Sequence, residues 1–582
     1  MALVNGALSI LLILGIVVFK YILKRKVNLF YLLILISILP IVSISRLGSY
    51  ESGGFSDYLK FGISFYNSLK EGIFVPQWDE LRSAGYGSPI FMFMYILPFY
   101  ITSFFHFIGF TFIDSMKILL ALSFPLSGLS MYGFVKGWLG KVPAFVASIF
   151  YLFTPYHLVD LHFRTDIGEI LSFALLPIQF LSTKKIIETG SKKWIIVGAI
   201  NISVLILSHH AISLASIFLV CTYGVTIWTL SKRKNVKYLW LFIFSTVLGI
   251  LFSAFYWLPI IFEAKNIFWG NYGNISFIEP LTMFFYSPWR LGLLFQGPKG
   301  ELSFIVGYIH WIVIILSIIL LARSKIKEKL KPITIYFLIT LTISFLMMQE
   351  VSKPIWNFIP LINKFQFSYR LLLFMSFFSA IIAGIIATVL IKYKKTRIIL
   401  IALCFFAIST TLLNWGHRRL IPTINDSYLI RELTSSSPIF EVTIPKWADF
   451  AHLEIEGRST THIDILSGRA EIKETFRNSI RHEYIIHAYT KTTFRENTFY
   501  FPGWNLEVNN KQYPFMYDKE KYQGIITFSL PSGLYKIEVT YSDTLITNVS
   551  RIISALSVIG ILFYAFHKLK FSSRCIQSRQ IE

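Results

Sequence analysis

Long apolar runs separated by short polar breaks make up most of the chain. Apolar runs of about 18 or more residues are typical of membrane-spanning helices. The pattern predicts about 13 spans, drawn at 3–23, 28–46, 114–135, 142–156, 168–187, 194–209, 211–230, 238–259, 303–322, 333–349, 369–391, 397–415 and 549–566. A further run, 89–111, is apolar enough to be another. We therefore expect a polytopic α-helical membrane protein.

The basic residues decide how 89–111 is interpreted. Lys and Arg cluster in short breaks between the predicted spans, at 24–26, 183–193, 231–237, 323–331, 392–397 and 567–574. Short loops rich in Lys and Arg face the cytoplasm. All six breaks lie on one side only if 89–111 does not cross, so we predict that it lies in or dips into the outer interface. The outer segments are then 47–113, 157–167, 260–302, 350–368 and 416–548.

The last outer segment differs in kind from the others. In "LYKIEVTY" (534–541) apolar and polar side chains alternate, and "WNLEVNN" (504–510) alternates before an Asn-Asn turn. Period-two alternation between turn residues is typical of antiparallel strands with one buried face. We predict a C-terminal antiparallel β-sandwich. The expected division is a transmembrane domain at 1–415, a β domain at 416–548 and a final span with a cytoplasmic tail at 549–582.

Composition agrees with a membrane protein and argues against nucleic-acid binding. The chain of 582 residues is 54% hydrophobic, and its charged fraction is only 15%, against roughly 25% in soluble proteins. The net charge of +23 is explained by the loop clusters, and no basic stripe accompanies a recognition fold. The three cysteines offer no disulfide framework in the outer loops. We expect a multi-pass protein of the cell membrane.

The outer loops carry the candidate chemistry. Asp160, His162, Arg164, Asp166 and Glu169 fall within ten residues, between two apolar runs. Ionisable groups at a membrane face are candidate functional residues. The alternative is that a loop is polar because it touches water.

Other outer residues suggest sugar and phosphate chemistry. Asp57 follows a Gly-Gly pair just outside a span, and Trp78 and Tyr95 are aromatic residues near Gly and Pro that could stack on a sugar or belong to an interfacial belt. Arg370 opens a span and can snorkel or hold a phosphate bidentately. Lys353 and Lys364 are further outer cations.

The stretch 154–181 resembles the signature of a bacterial and archaeal membrane family related to 6-pyruvoyl-tetrahydropterin synthase, which is close to YfhO-type membrane proteins. Pro155-Tyr156, Arg164, Glu169 and Leu176-Pro177 match. The chain departs at His162, Thr165 and Asp166, which weakens any role for Asp166.

The resemblance continues in order along the chain. "SHHAIS" matches through His209 better than through His210, and "FQFSYRLL" keeps Gln366 and Arg370. "SAFYWLPIIFE" (253–263) and the two C-terminal strand segments also match.

These proteins are similar to GT-C glycosyltransferases, and the resemblance implies a polyprenyl-phosphate sugar donor, a cell-envelope glycan or glycolipid acceptor and an extracytoplasmic active site. Asp57 matches the catalytic acid of the first outer loop. The resemblance implies Arg164, Glu169, His209, Arg370 and Gln366 as substrate-binding residues, and the aromatic pattern of the first outer loop adds Trp78 and Tyr95. No cofactor is fixed, and a divalent ion (Mg²⁺ or Mn²⁺) gathered by Asp57, Asp160 and Glu169 is left open.

Two other functions remain open on the sequence. A lipid-linked sugar transporter or flippase would favour inverted repeats and mid-membrane charges, and neither is clear. A non-catalytic assembly protein would use the β domain to bind envelope polymer, and would tolerate changes at Asp57 and Arg164.

Overall fold

The computed structural model describes residues 2–232, 234–268, 281–285, 304–359, 362, 365–416, 419–433, 443–449 and 461–578. It is mostly helical up to residue 416 and contains β strands towards its C-terminus. The helices are α1 (Ala2–Val17), α2 (Leu29–Ile38), α3 (Phe55–Lys70), α4 (Ile90–Phe93), α5 (Leu97–Phe107), α6 (Phe112–Leu139), α7 (Lys141–Leu152), α8 (Pro155–Val159), α9 (Ile167–Thr189), α10 (Lys192–Ser208), α11 (His210–Leu230), α12 (Val236–Phe252), α13 (Ala254–Glu263), α14 (Tyr308–Ala322), α15 (Lys331–Leu346), α16 (Lys353–Phe358), α17 (Leu372–Leu390), α18 (Lys394–Ser409), α19 (Asp426–Arg431), α20 (Lys519–Tyr522) and α21 (Leu545–Ser578).

Fewer of the described helices are long and apolar enough to span a membrane as one unbroken helix than the hydrophobic pattern predicts. Six described helices are long and apolar enough, and the number rises to 8 if each of two bent pairs is one span. The pairs are α7 with Pro155–Arg164, bent by 50°, and α12 with Ala254–Asn266, bent by 68°. The prediction of about 13 spans is therefore not confirmed. Several predicted runs form shorter or broken helices, because breaks such as that at Thr154 interrupt them.

The run 89–111 does not form one long helix. It is divided between α4 and α5, and α5 has 11 residues. At 1.5 Å per residue, α5 is about 16 Å long, roughly half the hydrocarbon thickness. Its length agrees with the prediction that this run does not cross.

The chain separates into two compact units. Unit 1 comprises Met1–Gly62, Leu97–Thr246 and Tyr272–Tyr428, and unit 2 comprises Ile63–Ile96, Val247–Asn271 and Leu429–Glu582. The expected contiguous division at residue 415 does not describe these units, because two segments of the predicted transmembrane domain belong to the unit that holds the large sheets.

In unit 1 the core is built around α17. All but two of its residues are buried. Phe377 stacks on Phe134 of α6, with ring centroids 6.1 Å apart, and lies 4.6 Å from the ring of Phe180 in α9. Close approach needs a small residue at Gly384, where an added Cβ would lie 3.1 Å from the carbonyl oxygen of Pro143. This packing fixes α9, which carries Glu169, and the start of α17, which follows directly after the turn that carries Arg370.

Two larger antiparallel sheets lie in unit 2. One has the order β10-β9-β12-β7-β6 and the other the order β11-β8-β5. Their strands are β5 (Ile463–Ser467), β6 (Ala470–Asn478), β7 (Arg481–Ala488), β8 (Thr492–Phe499), β9 (Trp504–Val508), β10 (Lys511–Gln512), β11 (Ile525–Leu530) and β12 (Gly533–Tyr541). Four two-residue strands form two small pairs, β1 (Ser49–Tyr50) with β3 (Leu420–Ile421) and β2 (Ile267–Phe268) with β4 (Ile444–Pro445).

The strand predictions are confirmed in detail, while the sandwich arrangement stays a prediction. Along β12, Ile537, Val539 and Tyr541 are buried and the residues between them are not. Asn509 and Asn510 connect β9 to β10 with φ of 53° and 62°. Such left-handed pairs form the tight turns of two-residue hairpins, and Asn tolerates them well.

Candidate functional site

One buried carboxylate in unit 1, that of Glu169, collects four hydrogen bonds from charged or hydroxyl groups. Its Oε1 accepts from Arg370 Nε at 2.8 Å and from Arg164 Nη2 at 3.1 Å. Its Oε2 accepts from the Tyr156 hydroxyl at 2.6 Å and from Arg164 Nη1 at 3.1 Å. Glu169 is fully buried. The sequence-predicted residues Arg164, Glu169 and Arg370 are thus brought together.

Arg164 is the centre of the cluster. Besides Glu169 it contacts Asp160, with Nη1 to Oδ1 at 2.8 Å, and Asp166, with Nη2 to Oδ2 at 3.2 Å. Its guanidinium lies 4.9 Å from the ring centroid of Tyr369, a cation–π distance. Donors on both sides of the planar fork are therefore engaged, which fixes its orientation.

Arg370 is held by its own segment as well as by Glu169. Its Nη1 donates to the carbonyl oxygen of Phe365 at 2.9 Å and to Gln366 Oε1 at 3.1 Å. Its Nη2 lies 3.7 Å from Asp166 Oδ2, a looser approach. Gln366 therefore helps to hold the Arg370 side chain in place. Its own backbone is left-handed, with φ of 73°.

Local backbone geometry explains how one short segment supplies so many charges. A π-helical turn at Asp160–Arg164 ends at Thr165, which has φ of 54° and ψ of 50°. This left-handed conformation is unusual for a β-branched residue. Asp166 then caps α9, because its Oδ1 accepts from the backbone nitrogens of Gly168 and Glu169 at 3.2 Å each. Glu169 consequently lies in the first helical turn, where the helix dipole favours an anion.

His209 lies between α10 and α11 and faces the same acids. Its Nδ1 accepts from the Ile212 backbone nitrogen at 3.3 Å, so in this arrangement a ring hydrogen is carried by Nε2. Nε2 lies 3.8 Å from Asp166 and 3.9 Å from Glu169. Burial alone raises the pKa of Asp166, but neighbouring His209, Arg164 and Arg370 lower it well below its usual value.

A divalent metal fits poorly in this arrangement. Oxygen or nitrogen atoms of Asp166, Glu169 and His209 all lie within 4.8 Å of one another, which is compatible with a shared ion. Both carboxylates, however, already contact guanidinium groups, and His209 Nε2 carries a hydrogen when Nδ1 accepts. A cation here would have to displace an arginine and change the histidine tautomer. The metal ligands considered from the sequence were Asp57, Asp160 and Glu169. Two of them, Asp160 and Glu169, also contact an arginine, Arg164.

Asp57 lies apart from this network. It is exposed, in the first turn of α3, and makes no hydrogen bond or ion pair to another described residue. The chain just before it is nevertheless docked on the arginine segment. The Gly53 nitrogen donates to the Phe163 carbonyl oxygen at 2.7 Å, and a Cβ at Gly54 would lie 3.2 Å from the Arg164 carbonyl oxygen. An accessible carboxylate thus begins a helix whose preceding residues contact the backbone of the buried cluster.

The two predicted aromatic residues belong to unit 2. Trp78 is 1% exposed and packs on Trp504 and Tyr541, with ring centroids 5.4 and 5.8 Å away. Tyr95 is buried as well. The expectation that they stack on a sugar is therefore corrected, because neither presents an open ring face and Trp78 packs the core of the β strands.

Some cluster members carry a signal in the sequence and others do not. Tyr156 stands in the matched Pro-Tyr pair, and its hydroxyl contact with Glu169 is found only in the structure. Asp166 departs from the family pattern, but it caps α9 and contacts Arg164. Tyr369 carries no signal in sequence, since its role depends on the fold. Lys353 is exposed on α16, and Lys364 lies outside the described residues.

The matched family model decides the family of the chain. The model describes a 6-pyruvoyl-tetrahydropterin synthase related domain of a membrane protein, and it matches residues 92–417, more than half of the sequence. The chain belongs to this family. The whole Arg164–Glu169–Arg370 cluster lies inside the matched region, whereas Asp57 and the larger sheets lie outside it. No curated protein matches the chain.

Solved structures give distant matches, and those described below are GT-C glycosyltransferases. An oligosaccharyltransferase of Archaeoglobus fulgidus is similar over 69% of this chain and 57% of its own, at 12% identity and a TM-score of 0.41. The arabinofuranosyltransferase AftD from mycobacteria is similar over 66% of this chain and 27% of its own, at 12% identity and a TM-score of 0.42. ArnT from Cupriavidus metallidurans, bound to undecaprenyl phosphate, is similar over 71% of this chain and 77% of its own, at 12% identity and a TM-score of 0.38. The chain thus spans little more than half of the first structure and about a quarter of the second.

Proposed function

We propose that the chain is a membrane glycosyltransferase that moves a sugar from a polyprenyl-phosphate donor to a cell-envelope glycan or glycolipid on the extracytoplasmic face. The observation that carries the proposal is an exposed carboxylate, Asp57, on a helix whose start is docked on the segment of a buried arginine pair. An accessible acid on a helix that follows these backbone contacts can serve as the general base, and the oriented guanidinium groups can serve the leaving phosphate. The ordered family resemblance supports the same reaction.

The transfer can be written with all atoms accounted for. Asp57 accepts the proton of an acceptor hydroxyl, and the hydroxyl oxygen forms a bond to the anomeric carbon of the donor sugar. The bond from that carbon to the phosphate oxygen breaks, and the polyprenyl phosphate leaves with the electron pair. Attack opposite the leaving group inverts the anomeric centre.

Arg164 and Arg370 act differently in this scheme from simple phosphate ligands. The two guanidinium groups of this cluster are outnumbered by the three carboxyl groups that contact them, those of Asp160, Asp166 and Glu169. Such a site does not attract a phosphate by net charge. We infer that the carboxylates orient the guanidinium groups. Among the described acids, Arg370 Nη2 approaches only Asp166, at the long distance of 3.7 Å. It is therefore the donor that could most easily turn to a phosphate.

A purified sample in nanodiscs tests the proposal. Wild type and Asp57→Asn would be given a panel of polyprenyl-phosphate sugars, and released polyprenyl phosphate would be measured. We expect release by wild type and a loss of at least about a hundredfold in Asp57→Asn, the scale of losing a general base. Glu328→Gln, an exposed acid elsewhere in unit 1, is the matched control and should keep wild-type release.

A non-catalytic assembly role is the second candidate, and one observation favours it. The Arg164 cluster is largely satisfied by internal partners, as a purely structural cluster would be. Transfer that survives in Asp57→Asn would remove Asp57 from the mechanism. Absence of release from every donor, together with wild-type cell-envelope phenotype in Asp57→Asn cells, would favour the assembly role.

A further inference from the structure

A polar cavity of about 380 Å³ lies within unit 2, and all its lining residues lie outside the family-matched region 92–417. Its walls come from the last turns of α3, the segment 79–81 and the turn between β6 and β7. This volume is in the range of small-molecule pockets, roughly 300–1,000 Å³. None of its lining residues belongs to the Arg164 cluster.

Three carboxylates in the wall are held in place by protein donors. Glu71 Oε2 accepts from the backbone nitrogen of Ser479 at 3.0 Å and from the Ser479 hydroxyl. Asp79 Oδ1 accepts from the Leu81 backbone nitrogen at 3.1 Å, and Arg82 Nε lies 3.7 Å from its Oδ2. The acids are therefore fixed acceptors rather than mobile surface charges.

The third acid, Glu80, is anchored from inside the β strands. Its Oε2 lies 3.6 Å from Arg477 Nε. Arg477 Nη1 in turn donates to Glu496 Oε1 at 3.2 Å and to the Tyr484 hydroxyl at 3.1 Å. Glu496 is fully buried and also contacts His482 Nδ1 at 2.8 Å. A buried network of charged and polar side chains thus supports one wall of the cavity.

The remaining lining supplies donors and small polar groups. Asn67 and Lys70 are exposed on α3 and line the cavity, together with the buried Ser64 and Ser68. An amide and an ammonium can donate hydrogen bonds, while serine hydroxyls can donate or accept. The cavity therefore offers both kinds of hydrogen-bonding partner around one space.

The balance of charges selects the class of ligand. An anion would meet three carboxylates, which repel it. A divalent cation prefers carboxylates without cationic partners, whereas Asp79 and Glu80 face Arg82 and Arg477. Sugar hydroxyls can donate to the carboxylates and accept from Asn67 and Lys70 without bringing charge. We propose that this cavity binds a neutral, polyhydroxylated sugar residue of a glycan chain.

Saturation-transfer NMR on the full-length protein in nanodiscs tests this binding directly. The probes are the neutral disaccharides maltose, lactose, cellobiose and mannobiose, with glucuronate as a charged alternative, and binding of calcium chloride is measured separately by titration calorimetry. Asn67→Trp fills the cavity from an exposed helical position, and Glu71→Gln removes one acceptor charge. Asn548→Trp and Glu520→Gln, exposed residues elsewhere in unit 2, are the matched controls. Thermal unfolding verifies that each variant is folded.

We expect saturation transfer to at least one neutral disaccharide. Asn67→Trp and Glu71→Gln should each reduce it about tenfold, which corresponds to lost hydrogen bonds of about 1.4 kcal/mol. The two control variants should leave it unchanged. If Glu71→Gln fails to fold, Asn67→Trp still decides the question. No transfer to any neutral disaccharide, transfer unaffected by Asn67→Trp, or binding of calcium or glucuronate instead would overturn the proposal. The assay contains no lipid-linked donor, so its result is independent of whether Asp57 catalyses transfer.

Discussion

Arg370 Nε donates to Glu169 Oε1 at 2.8 Å across 201 positions of sequence, and both side chains are buried. The pair joins the start of α17 to the first turn of α9. Breaking a buried ion pair from one side leaves an uncompensated charge, which costs roughly 3–5 kcal/mol. The contact therefore has a structural role whatever chemistry the cluster performs.

The first prediction concerns this pair. We expect Glu169→Gln and Arg370→Met each to lower the unfolding temperature in nanodiscs, and the double variant to lose clearly less than the sum of the two single losses, with a coupling of about 1–3 kcal/mol. A double-mutant cycle measured by thermal unfolding gives the coupling. Additive losses would mean that the two side chains do not stabilise each other.

The second prediction concerns the backbone at Thr165. Its φ of 54° suits glycine, while a residue with a Cβ pays roughly 1–2 kcal/mol there. We expect Thr165→Gly to be more stable than Thr165→Ala by about 1 kcal/mol, because the two variants lose the same hydroxyl and methyl groups and differ only in the Cβ. Thermal unfolding of the two variants measures the difference. Equal stabilities, or a more stable alanine variant, would show that the left-handed conformation is absent.

The sequence predicts the separate parts of this cluster better than their assembly. Arg164 and Glu169 are close in sequence and were identified, whereas their contact with Arg370 depends on packing between α9 and α17. Trp78 was misinterpreted because an aromatic residue in a loop resembles an interfacial one until the β core is known. Strand alternation needs only the local pattern, so β9 and β12 were predicted well.

The span count is not confirmed, and the compact units differ from the expected division, for another physical reason. Hydropathy measures how apolar a run is and not where its helix bends, so it does not register the break at Thr154, which the following Pro155 does signal. Residues 63–96 were assigned to the membrane domain by position, yet Trp78 and Tyr86 from this segment lie in one hydrophobic core with β strands. Contacts between residues so far apart in the sequence leave no periodic pattern of apolar and polar positions.

The third prediction concerns pH and Glu80. Burial raises the pKa of Glu80 to about 7 from 4.5; Arg477 opposes this shift, while Glu71, Asp79 and Glu496 add to it. An acid with a raised folded pKa destabilises the fold once it ionises, so its unfavourable contribution is absent below pH 4.5, grows as the pH rises towards 7 and is complete above that value.

Glu80→Gln removes this ionisation. Relative to wild type, we expect the variant to gain stability as the pH rises from about 4.5 to 8, by up to about 3 kcal/mol if the whole shift is realised, and to gain none at pH 4. Unfolding temperatures of both proteins across this range supply the test, with Glu520→Gln as the control for a general charge effect. A difference that does not change with pH would contradict the raised pKa.

The fourth prediction concerns a metal. Because Arg164 and Arg370 contact the carboxylates that would bind an ion, we expect donor turnover to be unchanged by EDTA and not restored or raised by added Mg²⁺ or Mn²⁺. The same addition should leave the unfolding temperature unchanged, since a ligand that binds the folded state at a hundred times its Kd would add about 2.7 kcal/mol. Loss of turnover in EDTA with recovery on Mn²⁺ would contradict this prediction. Arg370→Lys then separates two cases: a variant with tighter metal binding would show that Arg370 competes with the ion, whereas unchanged metal affinity would place the ion elsewhere, with Asp57 as the first acid to examine.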